Sequence, residues 1–148
     1  MPVNPEYAGR EYPPAGPFPI TAEEITAFAE AIGSTSPAHR DVTAAQALGH
    51  SGVVAPPTFA VRLAQQCEAQ LIRDPEAGID FSRVVHGEET FTHHRPIVAG
   101  DELSGVLHVD RVREAGGHGM VTTRVELADA QGHPVSTVIS TIVVRGES

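Results

Sequence analysis

Histidine and carboxylate side chains are the groups of this chain that could move protons near neutral pH. His39 ends the segment 34–39 (STSPAH), Asp41 follows two residues later, and Glu30 precedes the segment by one helical turn. A neutral imidazole accepts a proton, and a carboxylate beside it orients the ring. His39 is therefore the candidate catalytic residue, with Asp41 or Glu30 as a possible partner. The alternative is a loop histidine that makes a local hydrogen bond.

A second group of titratable residues lies between positions 84 and 95. It comprises His86, Glu88, Glu89, His93 and His94. Neighbouring residues of a strand point to opposite faces, so neither the two adjacent histidines nor the two adjacent glutamates should enter one site together. The single cysteine, Cys67, excludes an internal disulfide and a Cys-rich zinc site. We expect neither a metal ion nor a cofactor.

The stretch Val53–Arg73 (VVAPPTFAVRLAQQCEAQLIR) is predicted to form the central helix, with the chemistry near its start. Pro56 and Pro57 end an extended segment and open the helix. From Phe59 onward the apolar residues recur at helical spacing on one face. That face consists of Ala60, Leu63, Ala64, Cys67 and Leu71. Such a helix needs an apolar surface to lie on.

The periodicity changes from helical to alternating after Arg83. Strands are predicted at 84–95, 103–113, 120–127 and 135–144, joined by three hairpins, with the last strand inside the sheet. Upstream, the sequence predicts a helix starting at Thr21, a short helix over 43–48, and an extended N-terminus with one short strand around 10–12. The prediction is an α+β fold: one domain over 1–148, with a long central helix wrapped by a curved antiparallel sheet.

Composition excludes several kinds of partner. The chain has 148 residues and a net charge of −9, which disfavours binding to nucleic acid or to an anionic membrane. The N-terminus lacks a basic-then-apolar signal, and no apolar run approaches membrane-spanning length. The sequence therefore predicts a cytoplasmic protein.

Three segments resemble the MaoC-like dehydratases. They are 53–59 (VVAPPTF), 86–103 (HGEETFTHHRPIVAGDEL) and the final pair of strands. The chain is most similar to the non-catalytic small subunit of the heterodimeric (3R)-hydroxyacyl-ACP dehydratases of the mycolic-acid type. The resemblance implies a hot-dog fold over nearly the whole chain and chemistry on an acyl thioester.

The catalytic signature of this group is incomplete here. Active members of the (R)-specific hydratase group carry Gly-Asp-x-Asn-Pro-aliphatic-His, in which Asp and His handle water and the proton next to the thioester. The matching stretch reads GSTSPAH: Gly33, Pro37 and His39 match, while Ser34 stands at the Asp position and Ser36 at the Asn position. A serine hydroxyl without a neighbouring base cannot replace a carboxylate near neutral pH.

The start of the central helix also departs from the group's pattern. In active members a glycine N–H there polarises the thioester carbonyl, and the resemblance places Pro57 at that position. Proline has no N–H, although Thr58 and Phe59 still carry backbone donors.

These two losses favour an acyl-binding helper role. The expected function is the non-catalytic subunit of an (R)-3-hydroxyacyl thioester dehydratase or enoyl hydratase acting on acyl-CoA or acyl-ACP, with a second hot-dog chain as its partner. The residues expected along the acyl group are Pro57, Thr58, Phe59, Val85, His86, Gly87 and Phe91. The alternatives are a self-sufficient homodimeric hydratase, a hot-dog thioesterase, and an acyl-binding module without catalysis.

Overall fold

The computed structural model describes residues 3–146, which form three α-helices and five strands. The helices are α1 Ala22–Ala31, α2 Val42–Ala47 and α3 Ala60–Ile72. The strands are β1 Ala15–Pro19, β2 Val84–His93, β3 Glu102–Ala115, β4 His118–Ala128 and β5 Pro134–Val144. They make one open antiparallel sheet in the order β1-β3-β4-β5-β2. The predicted α+β architecture is confirmed.

Helix α3 packs on the sheet through the face that its periodicity predicts. Ala60, Ala64, Cys67 and Leu71 are fully buried, and Leu63 is 3% exposed. They share one core with the inward-facing residues of β3, β4 and β5, among them Leu107, Val125, Val138 and Ile142. Within residues 3–146, no helix combines the length and apolar character needed to cross a membrane.

The helix and the sheet come closest at Gly105, in β3. A Cβ atom built there would lie 2.6 Å from Cys67 Sγ, 3.1 Å from Leu127 Cδ2 and 3.2 Å from Val125 Cγ1. Favourable contacts between carbon atoms are about 3.5–4.0 Å long. The missing side chain at Gly105 is therefore what allows the central helix to lie this close to the sheet.

The N-terminal segment differs from the prediction of a strand around 10–12. Glu11 makes a single bridge to His108, whereas the strand proper is β1, which pairs with β3. Two of its five residues are proline. Proline is tolerated on an edge strand because one side of that strand needs no ladder donors. These prolines are why the sequence predicts only an extended segment here and no strand.

Tyrosine side chains tie the same segment to the end of α3. Tyr7 is 2% exposed, and its hydroxyl donates to Asp74 Oδ2 over 2.9 Å. The Tyr12 hydroxyl donates to the same oxygen over 3.1 Å. These two hydrogen bonds anchor the N-terminal segment to Asp74, just after the end of α3.

The path of the sheet corrects the expected hairpin order. β3, β4 and β5 follow one another as two hairpins, but β2 pairs with β5 and lies at the opposite side of the sheet from β3. The long connection over 94–101 carries the chain across the sheet. One side of β2 therefore has no strand beside it in the described part of the chain. β5 has a neighbour on each side, as its apolar, β-branched sequence predicts.

Candidate active site

A pocket of about 470 Å³ lies beside the entry to α3. It is lined by His39, by the segment 54–57, and by the segment 93–97 that follows β2. Val54, Ala55 and the prolines of this lining make the wall largely apolar. The pocket thus places the candidate catalytic histidine next to Pro57, one of the predicted substrate-binding residues.

His39 is held firmly in this pocket. It ends a 3₁₀ turn over Pro37–His39 and is 8% exposed. Its Nδ1 lies 2.7 Å from the Val54 carbonyl oxygen. A carbonyl only accepts, so Nδ1 donates, and in the neutral ring Nε2 is the nitrogen able to take a proton. The Thr26 hydroxyl donates to the His39 carbonyl over 3.0 Å, which fixes the turn against α1.

A carboxylate partner for His39 is missing among residues 3–146. The carboxylate–histidine pairs within 4.0 Å in that range involve His86, His108 and His133. Asp41 instead caps α2, since its side chain accepts the Thr43 N–H over 2.9 Å. The two alternatives of a displaced carboxylate, Asp41 and Glu30, therefore gain no support from the geometry.

The serines that replace the signature residues have structural contacts. Ser36 caps the 3₁₀ turn, because its hydroxyl oxygen accepts a hydrogen bond of 3.4 Å from the Ala38 N–H. The Ser34 carbonyl accepts a hydrogen bond of 2.7 Å from Arg40. Neither contact deprotonates a hydroxyl. The segment forms a 3₁₀ turn that ends at His39 and places no carboxylate beside it among the described residues.

The entry to α3 provides few free backbone donors. Pro57 has no N–H, and the Phe59 N–H donates to the Pro56 carbonyl over 3.0 Å. The Phe59 donor considered from the sequence is therefore already used. His93 Nε2 donates to the Pro57 carbonyl over 2.8 Å, and the Ser136 hydroxyl lies 2.8 Å from His93 Nδ1. His93 thus fastens β2 and β5 to the start of the helix.

The other predicted substrate-binding residues do not form one tunnel within this chain. Phe59 is fully buried and packs edge-on against Phe28, with ring centroids 5.5 Å apart, so it belongs to the core. Thr58 is exposed, and Phe91 is half-buried against the core. Val85 and Gly87 are exposed on β2.

His86 lines a different pocket, of about 520 Å³, beside the C-terminal half of α3. Glu68 lines the same pocket, and the His86 ring lies 3.4 Å from Glu68 and 3.8 Å from Glu89. Glu68 was missed as a site residue. Its signal was present in the sequence, because a glutamate four residues after Ala64 falls on the apolar face of the helix.

Arg95 is occupied by carboxylates of its own chain. Its guanidinium donates to Asp101 through two hydrogen bonds of 2.9 and 3.1 Å, and it lies 3.5 Å from Asp129. The hydrogen bonds to Asp101 raise the pKa of Arg95 further above its usual value. Asp101 also accepts the Val98 N–H over 2.9 Å. This pair holds the loop that forms one wall of the His39 pocket.

Comparison with known proteins places this geometry in a family. Residues 6–138 match the family described as FAS1-like, dehydratase domain region. The chain is 48% identical over 146 residues to a UPF0336 protein of Saccharopolyspora erythraea, covering 99% of this chain and 94% of that protein. It is 50% identical over 147 residues to a UPF0336 protein of Clavibacter michiganensis subsp. michiganensis, covering 99% of each.

Solved structures share the fold. A MaoC-like dehydratase matches with a TM-score of 0.87 at 33% identity, covering 95% of this chain and 42% of that one, so this chain spans less than half of it. The C-terminally truncated HadBC (3R-hydroxyacyl-ACP dehydratase) complex of Mycobacterium tuberculosis matches with a TM-score of 0.83 at 28% identity, covering 97% and 99%. The chain therefore belongs to the FAS1-like dehydratase-region family and has the hot-dog fold of the MaoC-like dehydratases.

Proposed function

We propose that this chain is the acyl-binding, non-catalytic subunit of an (R)-3-hydroxyacyl thioester dehydratase or enoyl hydratase. One observation carries the proposal: His39 lines an apolar pocket with no carboxylate within 4.0 Å of its ring nitrogens among the described residues. Adding water to an enoyl thioester requires a base that takes a proton from water and an acid that protonates the carbon next to the carbonyl. A lone imidazole supplies only part of that machinery.

The entry to the central helix supports the same proposal. A developing thioester enolate needs a hydrogen-bond donor at its oxygen, and a backbone N–H at a helix start is well suited to that task. In this chain Pro57 brings no N–H and the Phe59 N–H is already bonded to Pro56. Among these three positions, only Thr58 keeps a donor for a bound thioester.

A second hot-dog chain would complete the site. It would supply the carboxylate, the histidine and the oxygen-binding donor, while this chain covers part of the acyl group. The exposed side of β2 supports such pairing, because an uncovered strand edge presents unpaired backbone groups. Phe81 and Val85 next to it are 72% and 43% exposed. The HadBC complex, similar to this chain at 28% identity, is itself a dehydratase built from more than one kind of chain.

The test is hydration of crotonyl-CoA and a longer enoyl-CoA, followed by loss of enoyl absorbance. The purified chain is assayed alone, then with a candidate catalytic chain of the MaoC-like group, and that candidate is assayed alone. We expect full activity only in the mixture. Turnover by this chain alone contradicts the proposal and favours the homodimeric hydratase.

Two further readouts separate the remaining alternatives. Release of free CoA, measured with a thiol reagent, identifies a thioesterase. Saturable binding of an acyl-CoA by this chain, without turnover in any mixture, identifies a binding module. Either result replaces the subunit proposal.

A further inference from the structure

Three ligand-type side chains that the function proposed above does not use meet at the pocket beside the C-terminal half of α3, and two of them, Glu68 and His86, line that pocket. They are Glu68 from α3 and His86 and Glu89 from β2. One donor atom from each lies within 4.8 Å of the other two. The rest of the pocket wall includes Ile72 and Phe81.

Glu68 is a buried carboxylate with weak partners. Its side chain is 1% exposed. Its nearest hydrogen-bond partners are His86 Nε2 at 3.4 Å and the Thr123 hydroxyl at 3.5 Å, both at the outer limit of a hydrogen bond. A buried carboxylate normally requires close pairing with a donor or a cation. Glu68 therefore lacks full charge compensation.

Glu89, like Glu68, has a carboxylate that its hydrogen bonds compensate only in part. Its Oε2 accepts the Ser140 hydroxyl over 2.8 Å, whereas its Oε1 is buried and has no hydrogen-bond partner among the described residues. That free Oε1 lies 3.8 Å from His86 Nε2. Burial raises the pKa of Glu89, the Ser140 hydrogen bond opposes this shift, and the charge of Glu68 adds to it. Two carboxylates thus converge on one imidazole nitrogen.

A β-bulge in β2 creates this convergence. Residues three apart on a regular strand point to opposite faces, so His86 and Glu89 should diverge. The pairing of β2 with β5 shifts by one residue between His86 and Glu88, which leaves Gly87 as the extra residue. A bulge reverses the alternation beyond it and brings His86 and Glu89 to the same face. This is also why sequence periodicity did not group them.

From this geometry we propose that Glu68, His86 and Glu89 bind a divalent transition-metal ion, Zn²⁺ or Mn²⁺. Bonds of about 2.0–2.1 Å in a tetrahedral site set ligand atoms about 3.3–3.4 Å apart. His86 Nε2 already lies 3.4 Å from Glu68 Oε2 and 3.8 Å from Glu89 Oε1. The oxygens of Glu68 and Glu89 lie within 4.8 Å of each other, so binding an ion would draw them closer together. One imidazole with two carboxylates suits these ions better than Mg²⁺ or Ca²⁺, which prefer all-oxygen sites.

Charge balance favours the ion over a proton. One divalent ion neutralises both carboxylates when they are ionised, whereas one proton neutralises a single charge. Arg73 lines the same pocket but is exposed and makes no ion pair to this cluster among the described residues. The Ser140 and Thr123 hydroxyls orient the carboxylates from behind, as outer-shell groups of metal sites do.

The test is calorimetric titration of the EDTA-stripped, tag-free chain with Zn²⁺, and absorption spectroscopy with Co²⁺. We expect one ion per chain. His86→Gln and Glu89→Gln should each weaken binding by about a hundredfold or more, since even outer-shell partners contribute about 10–100-fold. His133→Gln is the matched control, because His133 also faces a carboxylate, Asp129 at 3.7 Å, but only one.

Three outcomes overturn the proposal. They are no binding at metal concentrations up to about a hundredfold over protein, stoichiometric binding unchanged by either cluster variant, and equal loss in His133→Gln. If a variant fails to fold by circular dichroism, Mn²⁺ broadening of amide resonances in the wild-type chain replaces it. Broadening centred on Gly87 and Ser140 supports the site, and broadening centred elsewhere refutes it.

Discussion

Adding one methyl group at Gly105 should destabilise the chain through the contact between helix and sheet. The new Cβ would lie 2.6 Å from Cys67 Sγ, about 1 Å closer than a favourable contact. The new Cβ would also lie 3.1 Å from Leu127 and 3.2 Å from Val125, so it cannot move toward either of them to relieve the contact with Cys67. Overpacking of this kind costs about 1–3 kcal/mol. Replacing a glycine inside a strand by alanine also stabilises the fold by about 0.5–1 kcal/mol, because glycine loses more conformational entropy on folding. We therefore expect Gly105→Ala to lower the free energy of unfolding by about 1–2 kcal/mol.

A double-mutant cycle tests whether the contact with Cys67 Sγ causes this loss of stability. In a Cys67→Ala background the shortest contact is gone, so Gly105→Ala should cost about 1 kcal/mol less there, within the range found for residues in contact. The assay is urea unfolding in EDTA followed by circular dichroism, with the slope m expected to stay constant.

Gly87→Ala is the matched control for the cycle. Its Cβ would meet Val143 Cγ2 at 3.3 Å and the Thr141 carbonyl at 3.7 Å, so its effect should stay within about 0.5 kcal/mol. If Gly105→Ala is as stable as the wild type, or if Cys67→Ala gives no relief, the close helix–sheet approach is not what Gly105 provides.

Three further predictions follow from the titratable groups. Because burial raises the pKa of Glu89 above 4.5, its ionised form weakens the fold as pH rises through that raised pKa. In urea unfolding at pH 7 without metal, Glu89→Gln should therefore be more stable than the wild type, and below pH 4.5 the two should be equally stable. Equal stability at pH 7 contradicts this prediction. Burial raises the pKa of Asp74, but the hydrogen bonds that it accepts, including those from Tyr7 and Tyr12, outweigh burial and lower it. The contribution of Asp74 to stability should therefore be present above pH 3.8 and fade as the pH falls below that value. Asp74→Asn should remove this pH dependence. In the reconstituted dehydratase, His39→Gln should slow hydration by less than about tenfold, whereas a loss of about a hundredfold or more would make His39 a catalytic acid–base group.

Helices and interior strands were predictable because their burial is periodic. Thr21, where the first helix is predicted to start, caps α1, with its hydroxyl oxygen accepting the Glu24 N–H over 3.1 Å. The apolar face of α3 and the alternation in β4 follow directly from burial on one side. β1 was missed because its prolines conceal an edge strand, whose pairing depends on β3 rather than on local preference.

The site was predictable only where the residues lie close together in the sequence or recur as a motif. His39 and Pro57 were identified from their local segments, and they do line one pocket. The Glu68, His86 and Glu89 cluster depends on a one-residue shift in strand pairing, which side-chain periodicity does not contain. The spread of the expected acyl-binding residues over the core, β2 and two pockets likewise depends on tertiary packing.

The reactivity of Cys67 reports on local opening between α3 and the sheet. Cys67 is the single thiol of the chain, it is fully buried, and burial raises its pKa to about 11. A thiol reagent attacks the thiolate, so the folded state should be almost inert to it near neutral pH. Alkylation then proceeds only through openings that separate α3 from β3, and its rate under native conditions measures the free energy of that separation without denaturant. Binding of a partner chain, an acyl thioester or a metal ion to the folded state would appear in the same experiment as slower labelling.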